Sequence, residues 1–377
     1  MSNAPATMRW DPYVLSRGDE FDAFWARHLT ARARRVGIVA GLGFDPRACL
    51  VSQKLLAAGG EGERELWLIC YENGQADADT LKPLVDANDV SFQELFAGRG
   101  AIHRHPLQMR RENGRIASAS ATQRVFQELE PLFGYDDIVV DVSAMPRMIA
   151  LVLISQLVAA LDTQKASKPI PNLHVVTAES VVMDVSVAEE SLAEDVVNVT
   201  GFTGRVGAES ISNPKIWFPI LGEGQTIRLQ RIHDKLQPDE ICPVIPFPSL
   251  NPRRGDALIE EYRSLLFEDY RVDPRNVLYA SEFNPFEAYR QVFGAIDRYR
   301  LALSELDSCR AIISPLSSKV LSMGALLAAY DHRAQRGGQF HVGIHYVEAG
   351  SYRPGPVTEP PAYELIGMWI VGEWEDS

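Results

Sequence analysis

The chain is 377 residues long, 46% apolar and 23% charged, with a formal net charge of −13. This composition excludes disordered, collagen-like and disulfide-scaffold chains, and the length allows two domains, each able to bury a core. The acidic surplus weighs against wholesale binding to duplex DNA or an anionic membrane, while leaving room for a local basic pocket.

Four cysteines, Cys49, Cys70, Cys242 and Cys309, form no CxxC pair. Cys70 and Cys242 fall in apolar, strand-like runs, where a thiol acts as a small hydrophobe. The expectation is a reducing compartment, without a zinc site or a disulfide framework. The opening MSNAPATMRWDPYVLS lacks the basic-then-apolar pattern of a secretory signal. The most apolar run, 149–161, is interrupted by Ser155 and Gln156. It falls short of the ~20 residues a spanning helix needs, so a cytoplasmic protein without membrane contact is expected.

Residues up to Arg35 read as helical, with Phe21, Phe24, Trp25 and Leu29 at helical spacing. A repeated grammar follows, in which a short apolar run ends in a polar loop and a helix comes next. A strand is expected over 36–40, then the loop GLGFDPR and a helix over 48–58. A second strand covers 66–71, and Val125, Phe126, Leu129 and Leu132 mark a helix over 121–133. The strand over 138–141 leads through VSAMPR into a helix over 148–161, and another strand covers 173–177. Nearly continuous apolar strands alternating with helices indicate a parallel sheet covered on both faces.

From 188 to 240 the grammar lapses into glycines and polar residues, then the helix-like IRLQRIHDKL. This stretch reads as a connection between lobes, with room for a short hairpin, and is too long to be wholly structureless. Strands then recur over 241–245, 277–280 and 311–313, each followed by a loop (PFPSLNPRRGD, SEFNPF, SPLSSK) and a helix (257–267, 287–303, 320–330). Final strands are expected over 341–347 and 363–371. The fold class is therefore α/β, with two doubly wound Rossmann-like lobes, each a mostly parallel sheet with flanking helices. Their expected extents are 1–205 and 206–377.

Ligands of open α/β sheets bind beyond the carboxyl ends of the strands, so the loops there are the candidates. Asp45-Pro46-Arg47, Asn251-Pro252-Arg253 and Asn284-Pro285-Phe286 place Asp or Asn before Pro. That is helix-start chemistry, a side-chain oxygen at the N-cap and a preset φ after it. Met145-Pro146-Arg147 and Ser314-Pro315 are variants. This chemistry accounts for the prolines but not for the cations. Arg47, Arg147, Arg253 and Arg254 lie in or beside a first helical turn, and Lys319 sits at another. An exposed cation there opposes the helix dipole at a cost of about 0.3–1 kcal/mol. A bound anion reverses that sign. Each cation alone also fits a solvated surface residue; together they point to a phosphate, a nucleotide or an acidic metabolite.

Asp141 closes an Ile-Val-Val run and suits a ribose hydroxyl, a metal or a substrate proton, or equally the capping of its own loop. Ser143 offers a phosphate donor. The matching loop at 314–319 joins Ser314, Ser317 and Ser318 to Lys319 as a phosphate cradle, poorer in glycine than a Walker A loop. Gly41 and Gly43 follow a strand, but the third glycine of a dinucleotide fingerprint is missing. Ser249, Ser281, Glu282 and Asn284 line further strand ends, as does Glu348. His103 and His105 form an HxH read as a polar loop. HExxH, GxSxG and EF-hand patterns are absent, and no metal or cofactor is expected.

With GLGFDPR and DVSAMPRM in one half and PFPSLNPRRGD and SPLSSKVLSMGA in the other, the chain resembles CARF-type nucleotide-sensing domains and the related SAVED module. In that family the loop after the first strand and a later strand–loop–helix rich in Gly, Thr and Lys hold cyclic oligonucleotides. Here Ser143-Ala144-Met145-Pro146-Arg147 and Ser317-Ser318-Lys319 stand in place of the Gly-Gly-Thr-Lys core. The resemblance implies a sensor or regulatory component of a bacterial signalling or antiviral defence system. Its partners would be a nucleotide or other phosphate-bearing small molecule and a separate effector protein, with self-association open. Two alternatives remain. One is a transferase or hydrolase of nucleotide or phosphosugar metabolism, with Asp141 as acid, base or metal-facing carboxylate and Arg147 and Lys319 clamping phosphate. The other is a scaffold subunit of a protein complex.

Overall fold

The computed structural model describes residues 7–72, 78–165, 169–180, 187–203, 213–306, 309–335, 342–354 and 362–376. In chain order its strands and helices begin β1 (Val14–Arg17), α1 (Asp19–Thr30), β2 (Val36–Leu42), α2 (Leu50–Ala57), β3 (Arg64–Glu72), α3 (Ala78–Phe96), β4 (Ile102–Gln108), α4 (Ser118–Glu128), β5 (Asp137–Asp141), α5 (Arg147–Lys165) and β6 (Asn172–Glu179). They continue with β7 (Val187–Leu192), β8 (Val197–Thr203), β9 (Lys215–Ile220), α6 (Thr226–Leu236), β10 (Glu240–Ile241), β11 (Val244–Pro246), α7 (Arg254–Glu261) and β12 (Leu278–Ala280). The last are α8 (Pro285–Ala302), β13 (Arg310–Pro315), α9 (Lys319–Gln335), β14 (Val342–Tyr346), β15 (Ala349–Pro354) and β16 (Glu364–Val371).

These elements form two compact units, and neither is a single stretch of chain. The first lobe is Tyr13–Ser191 with Ala349–Ser377; the second is Met1–Pro12 with Leu192–Glu348. The boundary expected at 205/206 falls outside the described residues. The contacts place the divide near 191/192 and return the C-terminal segment to the first lobe. The cause is β16, which lies antiparallel to β6 with Ile366 opposite Thr177, and carries β1 on its other side.

The first-lobe sheet runs β1-β16-β6-β5-β2-β3-β4, and the second runs β12-β11-β9-β13-β14-β8 with β10 also on β9. Within each, five strands are parallel and occur in the order third, second, first, fourth, fifth. Each has an antiparallel strand beyond the fifth, β16 in one and β8 in the other. This is the doubly wound order, and its direction reverses between β2 and β5 and between β9 and β13. The two-lobed Rossmann-like reading is therefore correct.

Several elements differ from expectation for identifiable reasons. The stretch 188–240 contains β8, α6 and β9, the last being the centre of the second sheet. Its sequence KIWFPI opens on Lys and holds a proline, both poor signals for a buried strand. The segment around His103 and His105 is β4, an edge strand, where Pro106 is tolerated. Helix α5 extends beyond the apolar run and, by length and composition, is long enough to cross a membrane. Most of its apolar residues are instead buried, with α4 and β16 packed against it.

Candidate functional site

The carboxyl ends of β2 and β5 flank the first lobe's reversal point, and seven of the anticipated residues gather there. Close packing requires a glycine at Gly41 but not at Gly43. A β-carbon on Gly41 would lie 2.0 Å from the Tyr71 hydroxyl, and one on Gly43 would lie 3.5 Å from the Ala144 carbonyl oxygen. Asp45 caps the short helix Pro46–Cys49 by accepting from the Arg47 N–H at 2.9 Å. The buried Arg47 guanidinium turns back on the same carboxylate, Nη2 to Oδ2 at 2.8 Å, and also donates to the Ala178 carbonyl. This pairing accounts for the Arg47 charge without an external anion. The same Asp-Pro-Arg clamp recurs, exposed, at Asp273-Pro274-Arg275. From α3, Asn88 Nδ2 ties the loop down by donating to the carbonyls of Gly43 and Asp45.

Asp141 is buried, and its Oδ1 accepts from the Ser143 N–H at 2.9 Å, the loop-capping role. The Ser143 hydroxyl accepts from the Ala178 N–H at 2.8 Å, joining this loop to β6. Burial, reinforced by Asp141, pushes the Cys49 thiol up to about 12 and the Tyr71 phenol well above its ordinary value. Arg147 is half-buried and opens α5. The Tyr71 hydroxyl is buried and has no hydrogen-bond partner among the described residues. Such a group costs about 1–3 kcal/mol.

The second lobe repeats this arrangement between β9 and β13. Because β9 has a weak sequence signal, its loop, Leu221-Gly222-Glu223-Gly224-Gln225, is absent from the anticipated set. A β-carbon on Gly222 would lie 2.4 Å from the Leu316 carbonyl oxygen. Gly222 thus stands to Leu316 as Gly43 stands to Ala144. Three residues beyond each carbonyl, Lys319 opens α9 and Arg147 opens α5. Ser318 caps α9 by accepting from the Leu321 N–H at 3.2 Å. Ser317 is buried in the same loop. Ser314 points into the sheet, where its hydroxyl accepts from Trp217 Nε1 at 2.9 Å, so it packs the interior rather than the loop.

The other candidates of this lobe sit beyond β11 and β12, towards the sheet edge. Arg254 joins three loops, donating to Glu223 at 2.6 and 2.8 Å and to Glu282 at 2.7 Å. Burial opposes its charge, but the two carboxylates raise its pKa further, and Arg254 lowers that of Glu223. Glu282 also accepts from the Leu250 N–H. Ser249 donates to the Pro246 carbonyl, and Asn251 accepts from the N–H of the exposed Arg253. Ser281 and Asn284 accept from the Phe283 and Phe286 amides at the start of α8. The amides of Gly224 and Gln225, ahead of α6, donate to Glu261 and to the Tyr262 hydroxyl, both at 2.8 Å. An internal carboxylate therefore occupies the place where an anion would meet this first turn. Glu348 is buried, and its carbonyl accepts from the Ala193 N–H.

At the opposite end of the first sheet, His28, His174 and Asp137 lie close enough to hold a metal ion. Asp137 Oδ1 already receives His28 Nε2 at 2.8 Å, Asn172 Nδ2 at 2.8 Å and His174 Nε2 at 3.3 Å. Arg34 Nη1, 3.4 Å from Oδ2, supplies the positive charge that a metal would bring. The cluster fits a hydrogen-bonded clamp better than a metal centre. His103 and His105 stack on Trp67 and reach Glu65 and Glu128, each at 2.8 Å, partners remote in sequence.

No protein-family model and no curated protein matches the chain. Among solved structures, it is similar to the cytoplasmic domain of a prokaryotic cation chloride cotransporter, with 8% identity over 85% of this chain and 97% of that one, and a TM-score of 0.22. It is also similar to SsfS6, a Streptomyces sp. SF2575 glycosyltransferase, with 11% identity over 82% and 97% and a TM-score of 0.17. Likeness at this level carries no argument about what the chain binds or does.

Proposed function

We propose that the protein binds an anionic, nucleotide-like ligand at the strand ends and acts as a sensor or regulatory component. The observation that carries this reading is a repetition. Gly43, Ala144 and Arg147 in one lobe have their counterparts in Gly222, Leu316 and Lys319 in the other. In both, a glycine of one loop faces a carbonyl of the other, at ordinary contact distance at Gly43 and too close for any side chain at Gly222, and a cation opens the next helix. That is where helix dipole and side-chain charge act together on an anion. In a chain of net charge −13, two cations retained at matching positions also provide the local attraction such a ligand needs.

Asp141 is engaged in capping its own loop, which favours binding over turnover. The buried thiols of Cys49, Cys242 and Cys309 suit a reducing, cytoplasmic setting. A bacterial signalling or antiviral context with a separate effector follows from the resemblance to nucleotide-sensing domains.

A thermal-shift screen against nucleotides, cyclic nucleotides and phosphosugars, repeated on Arg147→Ala and Lys319→Ala, tests the reading. A ligand specific to the folded state adds about 2.7 kcal/mol at a hundredfold excess over Kd. A shift that is lost in the variants and weakened by salt supports the proposal. A flat panel on folded protein refutes it, and turnover abolished in Asp141→Asn would transfer the site to an enzyme.

A further inference from the structure

The first lobe's reversal point carries a group of rings, whereas the second lobe's exposed ring pair, Phe247 and Tyr279, lies at β11 and β12, away from its reversal point. Phe44, Tyr71 and Tyr352 are each half-buried, as are Ala144 and Arg147 beside them. Phe44 and Tyr352 face each other at 6.3 Å between centroids, tilted by 46°. Tyr71 packs over Gly41, and its ring would lie 3.7 Å from a β-carbon on Gly43. Tyr352 belongs to β15, which is held in place by Arg110 donating to the Gly350 carbonyl and by the Ser191–Ser351 hydroxyl pair at 3.1 Å. In the second lobe, Arg254, Glu261 and Tyr262 engage the corresponding loops.

Half-exposed rings at strand ends present π-faces to a planar ligand. The buried Tyr71 hydroxyl, without a partner among the described residues, adds a polar contact that an incoming heteroatom would satisfy. We infer that the first lobe selects a nucleotide base, with Phe44 and Tyr352 supplying the stacking faces and Tyr71 a hydrogen bond to its polar edge. The inference rests on the anion-binding reading and narrows it from phosphate-bearing molecules to those with a planar ring, with the phosphate towards Arg147.

The test is calorimetric titration of the full chain, and of Tyr352→Ala, Tyr71→Phe and Arg147→Ala, with four nucleoside monophosphates (adenosine, guanosine, cytidine, uridine), ribose phosphate and inorganic phosphate. At least one nucleotide should bind roughly tenfold tighter than ribose phosphate, the scale of one base–aromatic stack. Tyr352→Ala should erase that preference while ribose phosphate binds as before. Tyr71→Phe should weaken the nucleotide while leaving the ligand-free protein at least as heat-stable, which separates recognition from misfolding. Equal binding of ribose phosphate and nucleotides, both lost in Arg147→Ala, overturns the ring site and leaves the anion site standing. A nucleotide preference that survives both tyrosine variants overturns the assignment of these residues. If none of these phosphates binds, and no cyclic nucleotide does either, both readings fall.

Discussion

A β-carbon on Gly222 would stand 2.4 Å from the carbonyl oxygen of Leu316, nearer than any real contact allows. Two loops at the centre of the second sheet are thus locked by a residue whose only qualification is the lack of a side chain. Gly222→Ala has to push rigid backbone aside and should cost about 1–3 kcal/mol. At Gly43 the corresponding approach is 3.5 Å, an ordinary contact, and alanine there should be nearly neutral. Urea midpoints of the two variants check this, and equal losses would contradict the argument.

The Asp-Pro-Arg clamp occurs once buried and once exposed, which makes an internal control. Asp45→Ala strands the buried Arg47 and should destabilise by about 3–5 kcal/mol, the cost of an uncompensated buried charge. Asp273→Ala removes a solvated ion pair and a short helix cap, and should lower the melting temperature far less than Asp45→Ala does.

Arg254 faces a largely buried carboxylate, Glu282, and a half-exposed one, Glu223. Arg254→Met leaves Glu282 without its cation and should cost about 2–4 kcal/mol. Glu223→Gln should cost less than about 1 kcal/mol, because solvent screens that contact. If the order of the two losses is reversed, Glu223 rather than Glu282 holds the loops together.

Acid should weaken the His28–Asp137–His174 clamp in two windows. Burial holds the His174 pKa below its ordinary value, so the unfolded chain takes up that proton first and stability falls below about pH 6.5. Burial alone would raise the Asp137 pKa, but the hydrogen bonds from His174 and His28 hold it far below the usual carboxylate range. Its contribution is therefore complete at neutral pH and is lost as the pH falls below about 4. Denaturant midpoints across this range should decline in both windows, and His174→Gln should flatten the first. A chelator should leave the neutral-pH midpoint unchanged, since Arg34 supplies the positive charge; a drop on chelation would restore the metal reading.

The repeated order of strand, loop and helix was legible in the sequence because buried parallel strands are almost wholly apolar and helix starts carry Asp, Asn and Pro. So were both loops at the first lobe's reversal point and the loop after β13 at the second's, since a loop following an apolar run marks a strand's carboxyl end. Strand β9 was not legible, because Lys215 and Pro219 mask it locally, and with it went the Gly222 loop. Nor could sequence pattern decide where β16 belongs. An apolar strand can complete any open sheet edge, and only the antiparallel pairing with β6 assigns it to the first lobe. The same holds for charge. Helix position marks Arg47, Arg147, Arg254 and Lys319 alike, but contacts across 28 and 31 positions pair Arg254 with Glu282 and Glu223. Whether a cation meets an internal carboxylate is a matter of distance in space, which spacing along the chain does not encode.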